Sequence, residues 1–225
     1  AIEIARYLLK RENANPDLHR LLGVILMQAS KEDEAVRHFK SLLEQFANDD
    51  DLVRLARSNL SVIYVNREDY AAGERELEIL MEKYPDDIGV FNDLGYLWAD
   101  QGKNLERAET MIRKAVEGAP ENGAYLDSLG WVLFKRGKLK EAVEPLEKAA
   151  KLLGDTDATI TDHLGDIYFQ LREYSKAKAA WETAMKAAQS AKPPDKRLKE
   201  ILKKLDALKV LQNSPNPKPV SGENP

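Results

Sequence analysis

The chain has 225 residues, a formal net charge of -4 and no cysteine. Without cysteine it has neither disulfides nor thiolate-ligated metal sites, and no stretch approaches the ~20 apolar residues that a transmembrane segment requires. Hydrophobic residues make up 43% and charged residues 32% of the sequence, which is typical of folded proteins. Ala, Leu, Glu and Lys fill most segments and favour helices, so composition predicts an all-α fold.

A short helical pattern at residues 2–12 opens the chain, and five mutually similar segments follow it. Each segment predicts two amphipathic helices joined by a short turn. A Leu followed by a small residue recurs in the first helix, with spacings of 38, 34, 35 and 35 residues between the small residues. These pairs are Leu22-Gly23, Leu60-Ser61, Leu94-Gly95, Leu129-Gly130 and Leu164-Gly165.

The second helix of each segment carries a small residue and, four residues later, a large apolar one. The small residues are Ala35, Gly73, Ala108, Ala142 and Ala177, and the large ones are Phe39, Leu77, Ile112, Leu146 and Trp181. We expect the small residues where the two helices of a pair touch, because a larger side chain there would hold the helices apart. The large residues are expected to fill the space between successive pairs, so that no pair buries its apolar face alone.

Two features depart from this regular pattern. Residues 48–51 add four residues between the first and second segments, where we expect a longer joint and a local change of superhelix. Residues 195–211 predict an amphipathic helix with one apolar stripe, which follows Pro193-Pro194 and has Asp195 as its N-cap. The tail at 213–225 is rich in Pro, Asn, Ser and Gly, and its composition predicts disorder.

These landmarks resemble the tetratricopeptide repeat (TPR) family over residues 16 to about 190. The resemblance implies an all-α, right-handed superhelical solenoid of antiparallel helix pairs, in which we expect the segment to be an excerpt of a longer array. The run from Asn92 to Trp131 also resembles bacterial TPR proteins of the exported lipoprotein and adaptor type. The predicted divisions are the second helix of a truncated preceding repeat at 1–15, repeats at 16–53, 54–87, 88–122, 123–157 and 158–192, a capping helix at 193–212 and a disordered tail at 213–225.

In the TPR family the first helix of each repeat lines a concave groove, and the resemblance implies a partner-binding groove at the matching positions. The predicted groove residues are Asn59, Asn66, Asn92, Asp93, Tyr96, Asp100, Asp127, Trp131, Phe134, Asp162, Asp166 and Phe169. Aromatic side chains supply rigid apolar contact, Asn side chains bond extended backbones, and aspartates favour basic segments. Two plainer interpretations stay open: Trp131 and Phe134 pack inside the stack, and the aspartates form only a solvated face.

No motif indicates catalysis. The sequence has neither a glycine-rich phosphate loop nor a Gly-x-Ser-x-Gly nucleophile motif. Asp162, His163 and Asp166 lie on neighbouring turns and could touch a metal, but such residues on a repeat surface are usually ordinary polar positions. The sequence therefore predicts a protein that is not an enzyme and that holds neither a metal nor a cofactor.

The predicted partner is a protein or peptide with basic or apolar segments. An acidic groove argues against nucleic acid, which needs a basic, stacking surface. A carboxylate-binding clamp of one TPR subclass is matched at Arg20 and Asn59, whereas Val24 and Asp93 depart from it. Further alternatives are self-association through the N-terminal face, a regulatory domain of a larger enzyme, and contact of the basic segment 192–211 with an anionic membrane or partner. The compartment stays open between the cytoplasm and, for a bacterial protein, a periplasmic or membrane-anchored location.

Overall fold

The computed structural model describes residues 1–13, 15–153, 157–191 and 195–213, and these residues are all-helical apart from short turns. The predicted disordered tail lies outside the described residues from residue 214 onward, as do Pro193 and Pro194. The helices are α1 (Ile2–Leu9), α2 (Pro16–Gln28), α3 (Glu32–Gln45), α4 (Asp50–Asn66), α5 (Tyr70–Lys83), α6 (Ile88–Asp100), α7 (Leu105–Gly118), α8 (Gly123–Lys135), α9 (Leu139–Leu153), α10 (Ala158–Gln170), α11 (Tyr174–Ser190) and α12 (Leu198–Asn213).

The helices form two compact units, residues 1–94 and 95–225, whose boundary falls within α6. In the first unit α1 packs on α2, α2 on α3, α3 on α4 and α4 on α5. In the second unit α7 packs on α8, α8 on α9, α9 on α10, α10 on α11 and α11 on α12. The all-α class predicted from the sequence, with helices packed as successive pairs, is confirmed.

The small residues lie where the two helices of a pair touch, as the sequence predicts, but the glycine of four first helices there meets the large residue of the second helix, which we expected to fill the space between successive pairs. A Cβ atom added at Gly130 would lie 2.4 Å from Leu146 Cγ, and one added at Gly165 would lie 2.2 Å from Trp181 Cδ1. Gly23 meets Phe39 in the first unit in the same way. The large partners are fully or almost fully buried, so each glycine lets two helices approach closely enough to enclose an apolar side chain.

The insertion at residues 48–51 lengthens a helix rather than the joint. The connection before α4, residues 46–49, has the same length as that before α6, residues 84–87. Helix α4 instead has 17 residues against 13 in α2. Four residues add about one helical turn, and Asp49 caps this turn because its carboxylate accepts the Leu52 N–H at 3.1 Å.

One turn geometry closes the first helix of the predicted repeats. A residue with positive φ follows the helix, and a nearby N–H reaches back to its last turn, as the Lys138 N–H does to the Leu133 carbonyl at 2.9 Å. Glycine adopts this backbone conformation readily, whereas other residues adopt it at a cost. The positive-φ residues of these turns are Ser30, Glu68, Gly102, Gly137 and Arg172.

The C-terminal helix α12 begins at Leu198, two residues later than the predicted cap at Asp195 implies. Asp195 still caps the turn that precedes α12, because its carboxylate accepts the Arg197 N–H at 2.8 Å. Ile201, Leu205 and Leu208 are buried, and the helix packs on α11. Among the described helices, none is both long and apolar enough to cross a membrane.

Candidate functional site

Helices α8 and α10 place most of the predicted groove residues of the second unit. Asn122 caps α8 by accepting the Ala124 N–H at 3.0 Å, and Asp157 caps α10 by accepting the Thr159 N–H at 2.8 Å. From these starts, predicted groove residues recur at intervals of four and then three residues, a spacing that puts them on one face of each helix. The two sets are Asp127, Trp131 and Phe134 on α8, and Asp162, Asp166 and Phe169 on α10.

A buried polar and aromatic cluster joins the two helices. His163 Nδ1 lies 2.9 Å from Asp127 Oδ1, and the His163 ring stacks on Trp131 with 3.9 Å between ring centroids. All three residues are buried, and the indole Nε1 of Trp131 has no hydrogen-bond partner among the described residues. Trp131 therefore packs inside the stack, and Asp127 is paired with a histidine instead of belonging to a solvated face.

Tyr96, on the part of α6 that belongs to the second unit, extends this cluster. Its ring centroid lies 6.5 Å from that of His163. Burial raises the pKa of the Tyr96 hydroxyl far above its usual value, and the charge of Asp100 acts in the same direction. The phenol is thus a neutral hydrogen-bonding group at physiological pH, and Asp100 itself is exposed.

A second cluster involves the C-terminal helix. Lys204 Nζ on α12 lies 2.7 Å from Asp162 Oδ1 and 2.7 Å from Asp166 Oδ1, and the Trp181 indole donates to Asp166 Oδ1 at 3.1 Å. Burial raises the pKa of Asp166, although the Lys204 charge opposes that shift. The negative field expected from these two aspartates is therefore partly neutralised by a cation of the same chain.

A pocket of about 240 Å³, called here the C-terminal pocket, opens beside this cluster. Phe169 packs against Trp181 and Tyr174, with ring centroids 5.5 and 5.6 Å apart. Phe134 and Phe169 are half-buried, so each keeps part of its ring accessible. The pocket is lined by Phe134, Asp166, Phe169, Gln170, Trp181, Lys204 and Ala207.

The other predicted groove residues belong to the first unit. Asn59 is half-buried and its amide donates to the Leu55 carbonyl within α4 at 2.7 Å, whereas Asn66 is exposed. Asn92 is buried and its amide donates to the carboxylate of the exposed Asp93 at 3.2 Å. The side-chain amides of Asn59 and Asn92 therefore each donate a hydrogen bond within their own helix. This leaves fewer donors to bond the backbone of a partner.

Lys204 is the residue of this candidate site that the sequence analysis did not find. It sits at the i+3 position between Ile201 and Leu208, on the buried face of α12. The sequence signal that could have indicated Lys204 is a lysine within the apolar stripe of a helix, because a buried ammonium needs a carboxylate partner. Among the described residues, no group of three or more His, Cys, Asp or Glu is arranged to hold a metal ion.

Comparisons with known proteins agree with the helical architecture. Two family models described as tetratricopeptide repeat match residues 99–157 and 162–190. The TPR repeat-containing protein PA4667 of Pseudomonas aeruginosa is 28% identical over 130 residues, which are 56% of this chain and 21% of that protein. The chain thus spans about a fifth of the length of this relative.

Solved structures show the same fold. TTC0263, a thermophilic TPR protein of Thermus thermophilus, has a TM-score of 0.67 at 18% identity and is matched over 88% of this chain and 100% of its own. The APC/C hetero-tetramer Cut9–Hcn1 has a TM-score of 0.78 at 15% identity, over 94% of this chain and 40% of that one. A TPR protein from Parabacteroides merdae has a TM-score of 0.63 at 16% identity, over 93% and 91%. Residues 99–157 and 162–190 are thus similar to tetratricopeptide repeats, and the solved structures share the fold of the chain.

Proposed function

We propose that this TPR protein is a non-catalytic scaffold that binds a segment of another protein on the faces of α8 and α10 that carry Phe134 and Phe169. TPR folds generally serve protein–protein interaction. The observation that carries the proposal is that Phe134 and Phe169 occupy equivalent positions, 35 residues apart, and both keep part of the side chain accessible after their helices have packed. Accessible aromatic rings on a rigid base are typical anchors of protein interfaces.

The surroundings of the two rings fit a peptide-binding surface better than a catalytic site. The nearby Lys204 bonds both Asp162 and Asp166, so these side chains hold the surface in one conformation. A surface that is fixed before binding loses little conformational entropy when a partner docks. The ion pairs and the buried Asp127–His163 contact are thus a supporting layer, and the accessible rings make the contact.

Mutation of the two phenylalanines tests this proposal. Phe134→Ala/Phe169→Ala is compared with wild type in quantitative pull-down from a lysate of the source organism, followed by mass spectrometry. Leu152→Ala is the matched control, because it removes a large apolar side chain that is 42% exposed on α9. We expect the double variant to lose at least tenfold of the captured partner and the control to keep it. Full retention by a double variant with wild-type helicity would reject this binding surface.

Self-association is a second candidate, and it rests on helix α1. Ile4 and Tyr7 are 66% and 57% exposed, which is unusual for large apolar side chains that lie one turn apart on a helix. We propose that two copies of the chain cover this face in solution. Sedimentation equilibrium should then show a dimer that Ile4→Glu converts to monomer, whereas a wild-type monomer at high micromolar concentration would exclude the candidate.

A further inference from the structure

The C-terminal pocket has the size and walls of a subsite for one side chain. Its volume of about 240 Å³ falls below the roughly 300–1,000 Å³ of typical small-molecule sites. The rings of Phe134, Phe169 and Trp181 form its apolar part, and α12 closes it through Ala207 and Lys204. A single large apolar side chain is therefore a better fit to this cavity than a cofactor is.

The charged cluster beside the pocket is not neutral. Asp166 and Lys204 line the pocket, and the buried Asp162, which is not part of the lining, pairs with the same ammonium. The indole N–H of Trp181 is also engaged by Asp166. The cluster thus carries more negative than positive charge, and the Lys204 ammonium and the Trp181 indole both already donate to Asp166, so an anion is disfavoured there.

We propose, on the basis of the function proposed above, that the C-terminal pocket receives a large apolar side chain of the partner that stands directly beside a basic group. The apolar side chain contacts Phe134, Phe169 and Trp181, and the basic group pairs with the carboxylate of Asp166. This assigns a chemical class to the bound segment: apolar residues next to Lys, Arg or a free amine are favoured, and apolar residues next to Asp or Glu are rejected.

The charge preference follows from burial. The Asp166 carboxylate is enclosed enough that burial raises its pKa, and a second cation nearby favours its ionised form. An anion at the same place would meet the Asp166 carboxylate and the already paired Lys204, while the Asp162 carboxylate adds negative charge to the cluster. Like charges brought together in such an enclosed site disfavour binding more strongly than they would in open solvent.

Two small probes that differ in charge test this inference. L-phenylalaninamide carries an aromatic ring beside an amine, and N-acetyl-L-phenylalanine carries the same ring beside a carboxylate; glycinamide supplies the amine alone. The readout is the indole ¹H–¹⁵N cross-peak of Trp181, assigned with Trp181→Phe, because this N–H donates to Asp166. We expect a saturable shift with L-phenylalaninamide in the millimolar range, at least tenfold weaker binding of N-acetyl-L-phenylalanine, and no saturable shift with glycinamide.

A variant that fills the pocket locates the binding. Ala207→Phe adds a ring at a pocket-lining position that is exposed, so it removes no core contact. Leu202→Phe on the exposed side of α12 is the matched control. We expect only Ala207→Phe to abolish the shift. Equal binding of both phenylalanine probes, preference for the anionic probe, no saturable binding of L-phenylalaninamide, or a shift that survives Ala207→Phe would each overturn the inference.

The two proposals fail in different ways. If the pull-down depends on Phe134 and Phe169 while the probes show no charge preference, the proposed binding surface is supported. The proposed chemical class of the bound segment is then wrong. If the pull-down is unaffected by the double variant, the proposed function itself falls, whatever the probes do.

Discussion

Lys204 Nζ on α12 lies 2.7 Å from Asp166 Oδ1 on α10, and this pair spans 38 residues of sequence. The same ammonium reaches Asp162 at 2.7 Å. The side chains of Lys204, Asp166 and Asp162 keep only 22%, 19% and 11% of their surface exposed. Helix α12 is therefore held in two ways, by apolar packing on α11 and by a charge contact to the first helix of the preceding pair.

Removal of the Lys204 ammonium is predicted to destabilise the protein. Lys204→Met keeps the apolar stem and leaves two enclosed carboxylates without a cation, and breaking such a pair typically costs about 3 kcal/mol. Urea unfolding at pH 7 measures the loss. Lys203→Met is the control, because Lys203 is 62% exposed and pairs with the equally exposed Glu200, and we expect it to change stability by less than about 0.5 kcal/mol.

The loss in Lys204→Met is predicted to shrink in acid. Burial raises the pKa of Asp166, and loss of the nearby cation raises it further. A carboxyl group whose folded pKa is above its unfolded value favours the folded state most at low pH, and that contribution is lost as pH rises through the folded pKa. The deficit of Lys204→Met relative to wild type should therefore be smaller at pH 4 than at pH 7, and an equal deficit at both would contradict this assignment.

The core positions could be predicted from the sequence, because they depend on local periodicity. Gly165 and Trp181 are 16 residues apart within one helix pair, and a spacing of this kind recurs in every repeat. The insertion at 48–51 is different, because sequence spacing alone cannot tell an added helical turn from an added joint. The prediction of a longer joint is wrong since Asp49 caps the extra turn and Leu52 is buried in it.

The charge pairing of the candidate site could not be predicted in the same way. Asp162 and Asp166 have the spacing of an exposed acidic stripe, and the ammonium that covers them comes from α12, which the sequence predicts only as a capping helix. Whether a side chain on a first helix is accessible depends on the rotation of that helix about its axis. An error of one residue in the repeat alignment changes the direction of a side chain by about 100°. That sensitivity explains why Trp131 is buried while Phe134, three residues later, is only half-buried.

Glu109 is predicted to be the carboxylate with the largest effect on acid stability in the second unit. It is 5% exposed and bonds Lys138 at 2.9 Å, Arg113 at 2.8 Å and Arg136. Burial alone would raise the pKa of Glu109, but the hydrogen bonds from Lys138, Arg113 and Arg136 outweigh it and lower the pKa to about 2. That shift corresponds to about 3 kcal/mol of stability, which is present above pH ~4.5 and lost as pH falls through ~2.

Glu109→Gln should therefore lose about 3 kcal/mol at pH 7 and lose progressively less, relative to wild type, as the pH is lowered toward 2. Glu106→Gln is the matched control, since Glu106 bonds the same Arg136 at 3.0 Å but its side chain is 81% exposed, so its effect should stay below about 1 kcal/mol. Chemical unfolding at several pH values compares the two variants. A loss in Glu109→Gln that is no larger than that in Glu106→Gln, or that does not change with pH, would contradict this assignment.

Arg172→Gly is predicted to stabilise the protein. Arg172 is exposed and has a φ of 62°, the left-handed conformation that Gly102 and Gly137 take in the equivalent turns. A side chain in this conformation costs about 1 kcal/mol relative to glycine, so the melting temperature should rise by a few degrees. Gly137→Ala, at a φ of 74° with open space around the added Cβ, should lose about the same amount, and a destabilised Arg172→Gly would count against the backbone argument.

Gly165→Ala is predicted to destabilise the protein even though alanine favours helices. The added Cβ would lie 2.2 Å from Cδ1 and 2.3 Å from Nε1 of Trp181, and the ring is confined because it is 3% exposed and bonds Asp166. Overpacking of this kind costs about 1–3 kcal/mol, which exceeds the gain of about 1 kcal/mol in helix propensity. A double-mutant cycle with Trp181→Leu tests the cause, because the equivalent position of the preceding repeat is Leu146. If the contact between residue 165 and the ring is responsible, the double variant loses at least about 1 kcal/mol less than the sum of the single variants, whereas strictly additive losses would place the strain elsewhere.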